Sequence, residues 1–244
     1  MTTSLASYDM LTFDCYGTLI DWEAGIWDAL QPLIATNAAD PGRSEILGVF
    51  GEIEGDQQAA TPAMLYPDLL ARVHARLAAR MGWRTDAALD AAFGASVPMW
   101  PAFQDSATAL RALKRRYRLV ILSNVHRAGI AASIGRLGVA FDAVYTAEDV
   151  GSYKPDPRNF RYMLDRLGAG HGVAPGRILH VAQSLRHDHV PATAAGLARC
   201  WIDRQNLAEG GHWGATARVP EVPSVDFRFT TLAALAEAAA AAGG

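Results

Sequence analysis

Cysteine is scarce in this chain: Cys15 and Cys200 are the two copies among 244 residues, each inside an apolar run and neither in a Cys-x-x-Cys pair. That usage argues against a disulfide scaffold and a thiolate zinc site, and fits a reducing compartment. An excess of one charge sign is missing too. Lys and Arg number 22 against 25 Asp and Glu, for a net charge of -3, with no long basic block. A surface that tracks nucleic-acid phosphates is therefore not expected. No apolar run reaches the length of a membrane span. Met1-Thr2-Thr3-Ser4 is not a basic segment leading into an apolar stretch, so no secretory signal is read there. The Ala-rich end, Leu232 to Ala242, is too short to span, carries Glu237 and reads as a surface helix. Internal repeats are lacking, and low complexity is confined to Ala238–Ala242 and Gly243-Gly244. The expectation is a soluble cytoplasmic protein with neither nucleic-acid nor membrane partners; a homodimer is allowed. With 50% hydrophobic and 19% charged residues, the chain can build a sizeable core in one large or two modest domains.

Short apolar runs alternate with amphipathic stretches from Ala102 onward. Leu119–Leu122, Ala143–Tyr145, Ile178–Val181 and Cys200–Ile202 read as buried strands, and Met10–Phe13 has the same character. Helices are predicted over Ser106–Tyr117, Gly129–Leu137, Asn159–Leu167 and Asp188–Ala195, with Gly138, Gly168 and Gly196 at their C-caps. Alternation of this kind predicts an α/β fold with a parallel sheet and right-handed crossovers. Residues 21–100 differ. They show helical periodicity over Trp22–Ile34, Ser44–Gln58, Leu65–Met81 and Asp86–Val97, punctuated by Pro62, Pro67, Pro98 and Pro101. Trp22, Trp27, Trp83 and Trp100 are expected to fill the core of this helical insert or its seam with the sheet.

Ligands of an open parallel sheet bind beyond the carboxyl ends of its strands. Polar groups follow four of the predicted strands: Asp14; Ser123-Asn124; Lys154, in the stiff loop Ser152-Tyr153-Lys154-Pro155-Asp156-Pro157; and Gln183-Ser184 with Asp188. Gly17 allows a tight turn after Asp14, and Thr18 places a hydroxyl near that carboxylate.

The segment Asp14-Cys15-Tyr16-Gly17-Thr18 resembles the Asp-x-x-Gly-Thr nucleophile motif of the haloacid dehalogenase superfamily, and the later strand ends match that pattern over nearly the whole chain. The resemblance implies a Rossmann-like core of residues 1–20 and 101–244, with a helical cap of residues 21–100 inserted after the nucleophile loop. It implies catalytic roles for Asp14, Thr18, Ser123, Lys154 and Asp188. Lys154 matches the family's Lys-Pro lysine, whose ammonium keeps the nucleophile ionised and oriented. Ser123 matches the Ser/Thr that donates to an anionic oxygen, and Asn124 an Asn near the departing halide; both types also favour helix N-caps. Asp188 matches the acid that orients the hydrolytic water. Substrate-binding roles are expected of Tyr16, Asn124, Ser184 and His187.

Departures from the pattern narrow the reading. Phosphatases of the superfamily carry a second Asp where this chain has Tyr16, and magnesium-dependent members present two acids where it offers Asp188 alone. The first departure resembles the branch that hydrolyses 2-haloacids, whose halide leaving group needs no proton, and the second leaves a poor Mg²⁺ site. That branch implies no metal and no cofactor; the phosphatase alternative would need Mg²⁺. The expected reaction converts a small 2-haloacid to a 2-hydroxy acid and halide through an ester on Asp14. A non-catalytic binding protein of the same fold is the remaining alternative. Two further features set the chain apart. The region Val49–Asp56, where L-2-haloacid dehalogenases place a substrate-binding Arg, has none and is acidic, leaving Arg186, Arg127 or Arg72 as sources of positive charge. The family's Tyr after the Lys-Pro pair is replaced by Phe160, with Tyr162 close by. His189 and His126 also flank the motifs, without an assigned role.

Overall fold

Every residue of Met10–Phe13 is buried, as a strand covered on both faces must be. In the computed structural model, which describes residues 4–243, this strand (β1) lies at the centre of a six-stranded parallel sheet. The others are β2 (Arg118–Ser123), β3 (Ala143–Thr146), β4 (Ile178–Ala182), β5 (Ala198–Ile202) and β6 (Phe227–Phe229), in the spatial order β3-β2-β1-β4-β5-β6. Side chains alternate between faces. Leu11, Phe13, Leu119, Ile121, Leu179 and Val181 enter one apolar cluster, whereas Met10, Val120, Leu122 and Ile178 enter the other. The chain runs outward from β1 to one edge and then, through β4, to the opposite edge. Chain direction across the sheet thus reverses beside β1, and a crevice opens there above the carboxyl ends of β1 and β4.

Between β1 and the rest of the sheet lie α1 (Trp22–Thr36), α2 (Arg43–Ala60), α3 (Tyr66–Met81) and α4 (Ala87–Gly94). Asp21 caps α1 by accepting from Ala24 N, and Asp86 caps α4 by accepting from Ala88 N and Leu89 N. Their apolar residues join the cluster on the Leu11 face of the sheet, with Trp100 buried in it and Trp22, Trp27 and Trp83 packed against it. The last of these helices stops at Gly94, short of the expected Val97. A 3₁₀ turn, Val97–Met99, follows, because Pro98 has no N–H to bond the Gly94 carbonyl and so cannot continue the α-helix.

The remaining helices are α5 (Ser106–Lys114), α6 (Arg127–Leu137), α7 (Ala147–Val150), α8 (Pro157–His171), α9 (Val190–Ala194) and α10 (Leu232–Ala241). Gly168 is not a C-cap: α8 continues through it to a left-handed Gly172, since a lone glycine weakens a helix without ending it. The segment expected as one helix from Asp188 is instead a π-type turn, Leu185–His189, capped by Ser184 and leading into α9. The C-terminal segment forms the expected surface helix, α10, with Glu237, Ala240 and Ala241 exposed and the opposite face packed on the core. Leu232, Leu235, Ala236 and Ala239 of α10 are buried, which alanine permits without advertising it as a larger apolar stripe would. Strand β6 leaves little trace in the sequence, because three residues with a central Arg228 carry little pattern. No helix of the described residues is long and apolar enough to cross a membrane.

Candidate active site

The backbone N–H of Asp14 donates to Val181 O at 3.1 Å, which carries the β1–β4 pairing one step past the strand and presents the carboxylate in the crevice. The chain then turns sharply. Gly17 has a φ of +95°, and a Cβ there would press on the Trp22 indole nitrogen and the Gln183 carboxamide. Thr18 donates to Asp14 Oδ2 at 2.7 Å and accepts from Gln183 N at 2.9 Å, tying the β1 turn to the β4 turn.

Lys154 is 1% exposed, so its ammonium must find every partner inside the protein. It donates to Asp14 Oδ1 at 2.9 Å, Asp188 Oδ1 at 2.6 Å and Leu122 O at 3.0 Å, which uses all three protons. Its backbone is clamped by Asn124, which accepts from Lys154 N at 2.6 Å and donates to Lys154 O at 3.1 Å. The same Asp188 oxygen lies 3.0 Å from His180 Nε2, and His180 Nδ1 lies 2.9 Å from the Thr12 hydroxyl. A carboxylate only accepts, so Nε2 carries the proton and Thr12 donates to Nδ1. Asp188 Oδ2 is buried without a hydrogen-bond partner among the described residues. Burial and the Asp188 charge push the Asp14 carboxyl up, against the pull of Lys154. For Asp188 the cost of burial is overcome by Lys154 and His180, which hold its carboxyl well below the ordinary range. Burial likewise disfavours the ammonium, but the two carboxylates outweigh it and raise Lys154.

Above this group lies a cavity of about 580 Å³, lined by Asp14, Tyr16, Asn124, Lys154, Ser184, His187 and Asp188. Thr18 and Ser123 are buried and do not line it. Thr18 acts on Asp14, and the Ser123 hydroxyl accepts from Val125 N at 3.2 Å. Tyr16 places its hydroxyl 2.8 Å from that of Ser133 and its ring edge-on to Trp100; burial raises its phenol well above the usual value. Ser184 accepts from His187 N at 3.1 Å, and burial lowers the His187 imidazole to about 4. His189 turns away, with Nε2 2.9 Å from Ala182 O.

A family model for haloacid dehalogenase-like hydrolases matches residues 8–196. The chain belongs to that family. (S)-2-Haloacid dehalogenase 4A of Burkholderia cepacia is 34% identical over 86 residues, 34% of this chain and 36% of the relative. Pyrimidine 5′-nucleotidase YjjG of Escherichia coli is 29% identical over 96 residues, 38% of this chain and 41% of the relative. The chain thus spans less than half the length of either relative. The structure of L-2-haloacid dehalogenase from Xanthobacter autotrophicus shares the fold, with a TM-score of 0.75 at 21% identity over 94% of this chain and 97% of that one.

Some members of the superfamily hold Mg²⁺ between acids at these strand ends, and the donor set here does not fit one. Magnesium demands near-octahedral oxygen ligation. The Lys154 ammonium instead lies between the two carboxylates, Tyr16 and Gln183 supply no charge, and no three His, Cys, Asp or Glu side chains gather as ligands among the described residues.

Other residues in or beneath the cavity of this haloacid dehalogenase-like hydrolase carry little signal in the sequence. His180 reads as core because it interrupts an apolar strand. Glu54, on α2, lines the cavity although acidic helix positions usually face solvent. Arg218 belongs to a loop beyond the family match, in which Gly214–Arg218 also line the cavity. That loop is fastened to α1, where Glu23 accepts from Ala215 N at 2.7 Å, and it touches α2, where any Cβ at Gly51 would collide with Ala215 O. Of the arginines considered above, Arg186 lines the cavity, Arg127 pairs with Glu148 and Asp149, and Arg72 is exposed elsewhere. Tyr162 packs on Tyr145, away from the site.

Proposed function

We propose that this hydrolase cleaves the carbon–halogen bond of small 2-haloacids through an ester on Asp14. The observation that carries the reading is the Lys154 ammonium bridging Asp14 and Asp188 at the cavity floor, with Tyr16 where a leaving-group acid would stand. An Asp14 carboxylate oxygen attacks the halogen-bearing carbon; the C–O bond forms as halide departs with the C–X electron pair, and no proton is needed. Water held at the unpartnered Asp188 Oδ2 then adds to the ester carbonyl of Asp14. Lys154 and Thr18 stabilise the negative charge that develops there. Collapse releases the 2-hydroxy acid, regenerates the Asp14 carboxylate and yields one proton overall. Arg186 and Arg218, at the cavity rim, supply the positive charge that draws in the carboxylate of the substrate.

The relative that is a nucleotidase favours one other reading, an aspartyl-phosphate phosphatase, and the misfit to Mg²⁺ opposes it. One set of measurements separates the two. Single-turnover hydrolysis of 2-chloropropionate in ¹⁸O-water is expected to leave the label in Asp14 rather than in the first product, Asp14→Asn to lose halide release while staying folded, and chelator to have no effect. Label in the first product would remove Asp14 as nucleophile. Chelator-sensitive hydrolysis of 4-nitrophenyl phosphate, restored by Mg²⁺, would establish the phosphatase.

A further inference from the structure

Glu54 is 6% exposed, yet no Lys, Arg or His pairs with it among the described residues. Its Oε1 accepts from the Tyr66 hydroxyl at 2.6 Å, and its Oε2 makes no hydrogen bond to the described residues. Burial raises its carboxyl to about 7. Buried charges in proteins are ordinarily paired, and leaving one alone is costly. The other buried side chains of α2 do not supply that partner: Phe50 and Ile53 are apolar, and Gln57 is bonded to Thr61 and Arg76 rather than to Glu54.

Glu54 lines the same cavity as the aromatic side chains of Tyr16, Trp22 and Tyr66. Aromatic rings and a carboxylate lining one cavity are the chemistry that recognises an ammonium group. The cavity's charges are also divided. Helix α2 contributes Glu52, Glu54 and Asp56 and no cation to the lining, while Arg186 and Arg218 lie on other segments. A plain haloacid anion meets no cation on the α2 side, where three carboxylates line the cavity. At about 580 Å³ the cavity is in the range that encloses drug-sized ligands, much larger than a three-carbon acid needs.

We propose that the α2 side of the cavity is a subsite for a substrate ammonium group, with Glu54 as its counter-ion. Resting on the dehalogenase reading, this makes the preferred substrate an amine-bearing haloacid: its carboxylate toward Arg186 and Arg218, its halogen-bearing carbon at Asp14 and its ammonium between Glu54 and the aromatic side chains. The bound cation supplies the partner that Glu54 lacks in the protein.

The test is isothermal titration of the whole protein at pH 8 with 4-aminobutyrate and with butyrate. Neither reacts, so binding is read whether or not the protein dehalogenates. At least tenfold tighter binding of 4-aminobutyrate is expected. In Glu54→Gln, with folding checked by circular dichroism, the preference should fall below threefold. Equal affinities in the wild type, absence of binding by 4-aminobutyrate, or a preference that survives Glu54→Gln would each overturn the subsite. The wild-type comparison alone decides if the variant does not fold. A retained ammonium preference without any halide release would instead sink the dehalogenase reading and leave the subsite standing.

Discussion

His180 Nε2 stands 3.0 Å from the Asp188 oxygen that also receives the Lys154 ammonium. The imidazole is fully buried and does not reach the cavity, so its effect on turnover passes through Asp188. His180→Gln is expected to lower kcat about tenfold, the equivalent of one charge-assisted hydrogen bond, with KM nearly unchanged. Because His180 helps hold the Asp188 carboxyl down, the acid limb of the pH–rate profile should move to higher pH. A purely structural role would lower activity without moving that limb.

Removing the cation is expected to be far more damaging to the fold. Lys154→Met leaves two buried carboxylates facing each other, at a cost of about 3–5 kcal/mol in urea unfolding. The sign with pH follows. Without the ammonium both carboxyl pKa values rise, the folded state takes up protons more readily than the unfolded chain, and the deficit should shrink between pH 8 and pH 5. A deficit independent of pH would show that the loss is one of packing. Lys154→Arg should not rescue activity, since a planar guanidinium cannot reproduce the three divergent donors.

Tyr16 offers two contrasting substitutions. Its hydroxyl is engaged with Ser133 and its phenol is held far above neutrality, so it is no acid in the reaction. Tyr16→Phe should retain halide release within a few-fold. Tyr16→Asp would place a second carboxylate near Asp14, raise its pKa and oppose an anionic substrate. Halide release should then be lost, with little phosphatase activity gained, because Gln183 still stands where a further acid is needed. Normal dehalogenation by Tyr16→Asp would show that this position does not decide the chemistry.

Glu54 gives the stability curve a slope. Its carboxyl titrates near 7 in the folded protein against 4.5 as its ordinary value, so from about pH 4.5 to 7 the folded state binds more protons than the unfolded one. Stability is therefore lost as pH rises through that window, by about 3 kcal/mol from this group. Glu54→Gln removes the titration and keeps the shape. Its thermal midpoint should match the wild type near pH 5 and exceed it at pH 8. Parallel curves for the two proteins would place the proton elsewhere.

What could be read from the sequence was decided by contrast. Asp14, Lys154 and Asp188 stand out because carboxylates and an ammonium follow apolar strands or occupy a proline-stiffened loop, and the three meet within hydrogen-bonding distance. Thr12 and His180 escape notice because each is a single polar residue within an apolar run. Only the register of β1 on β4 shows that they are cross-strand neighbours. Glu54 escapes for the opposite reason: it sits among Glu52 and Asp56, and nothing local distinguishes a solvated acid from one turned into a cavity. The loop that closes the cavity was least legible, since its tie from Ala215 to Glu23 spans 192 residues and depends on tertiary placement alone. Asp188 also shows where local pattern misleads. A helix start was expected there, but the Ser184 cap moves the turn upstream and turns the carboxylate toward Lys154.

The close approach of Gly51 to the Ala215 carbonyl bears on how this pocket can change. Any side chain at position 51 would push the loop from α2 and loosen the wall. One turn to either side the situation reverses: Gly48 and Gly55 also line the cavity, and a Cβ at either would meet nothing within 4 Å. New substrate ranges are therefore reachable by filling space at 48 and 55, one methyl group at a time, without disturbing the carboxylates and lysine at the floor. Helix α2 works as an adjustable wall hinged on a position that tolerates no adjustment.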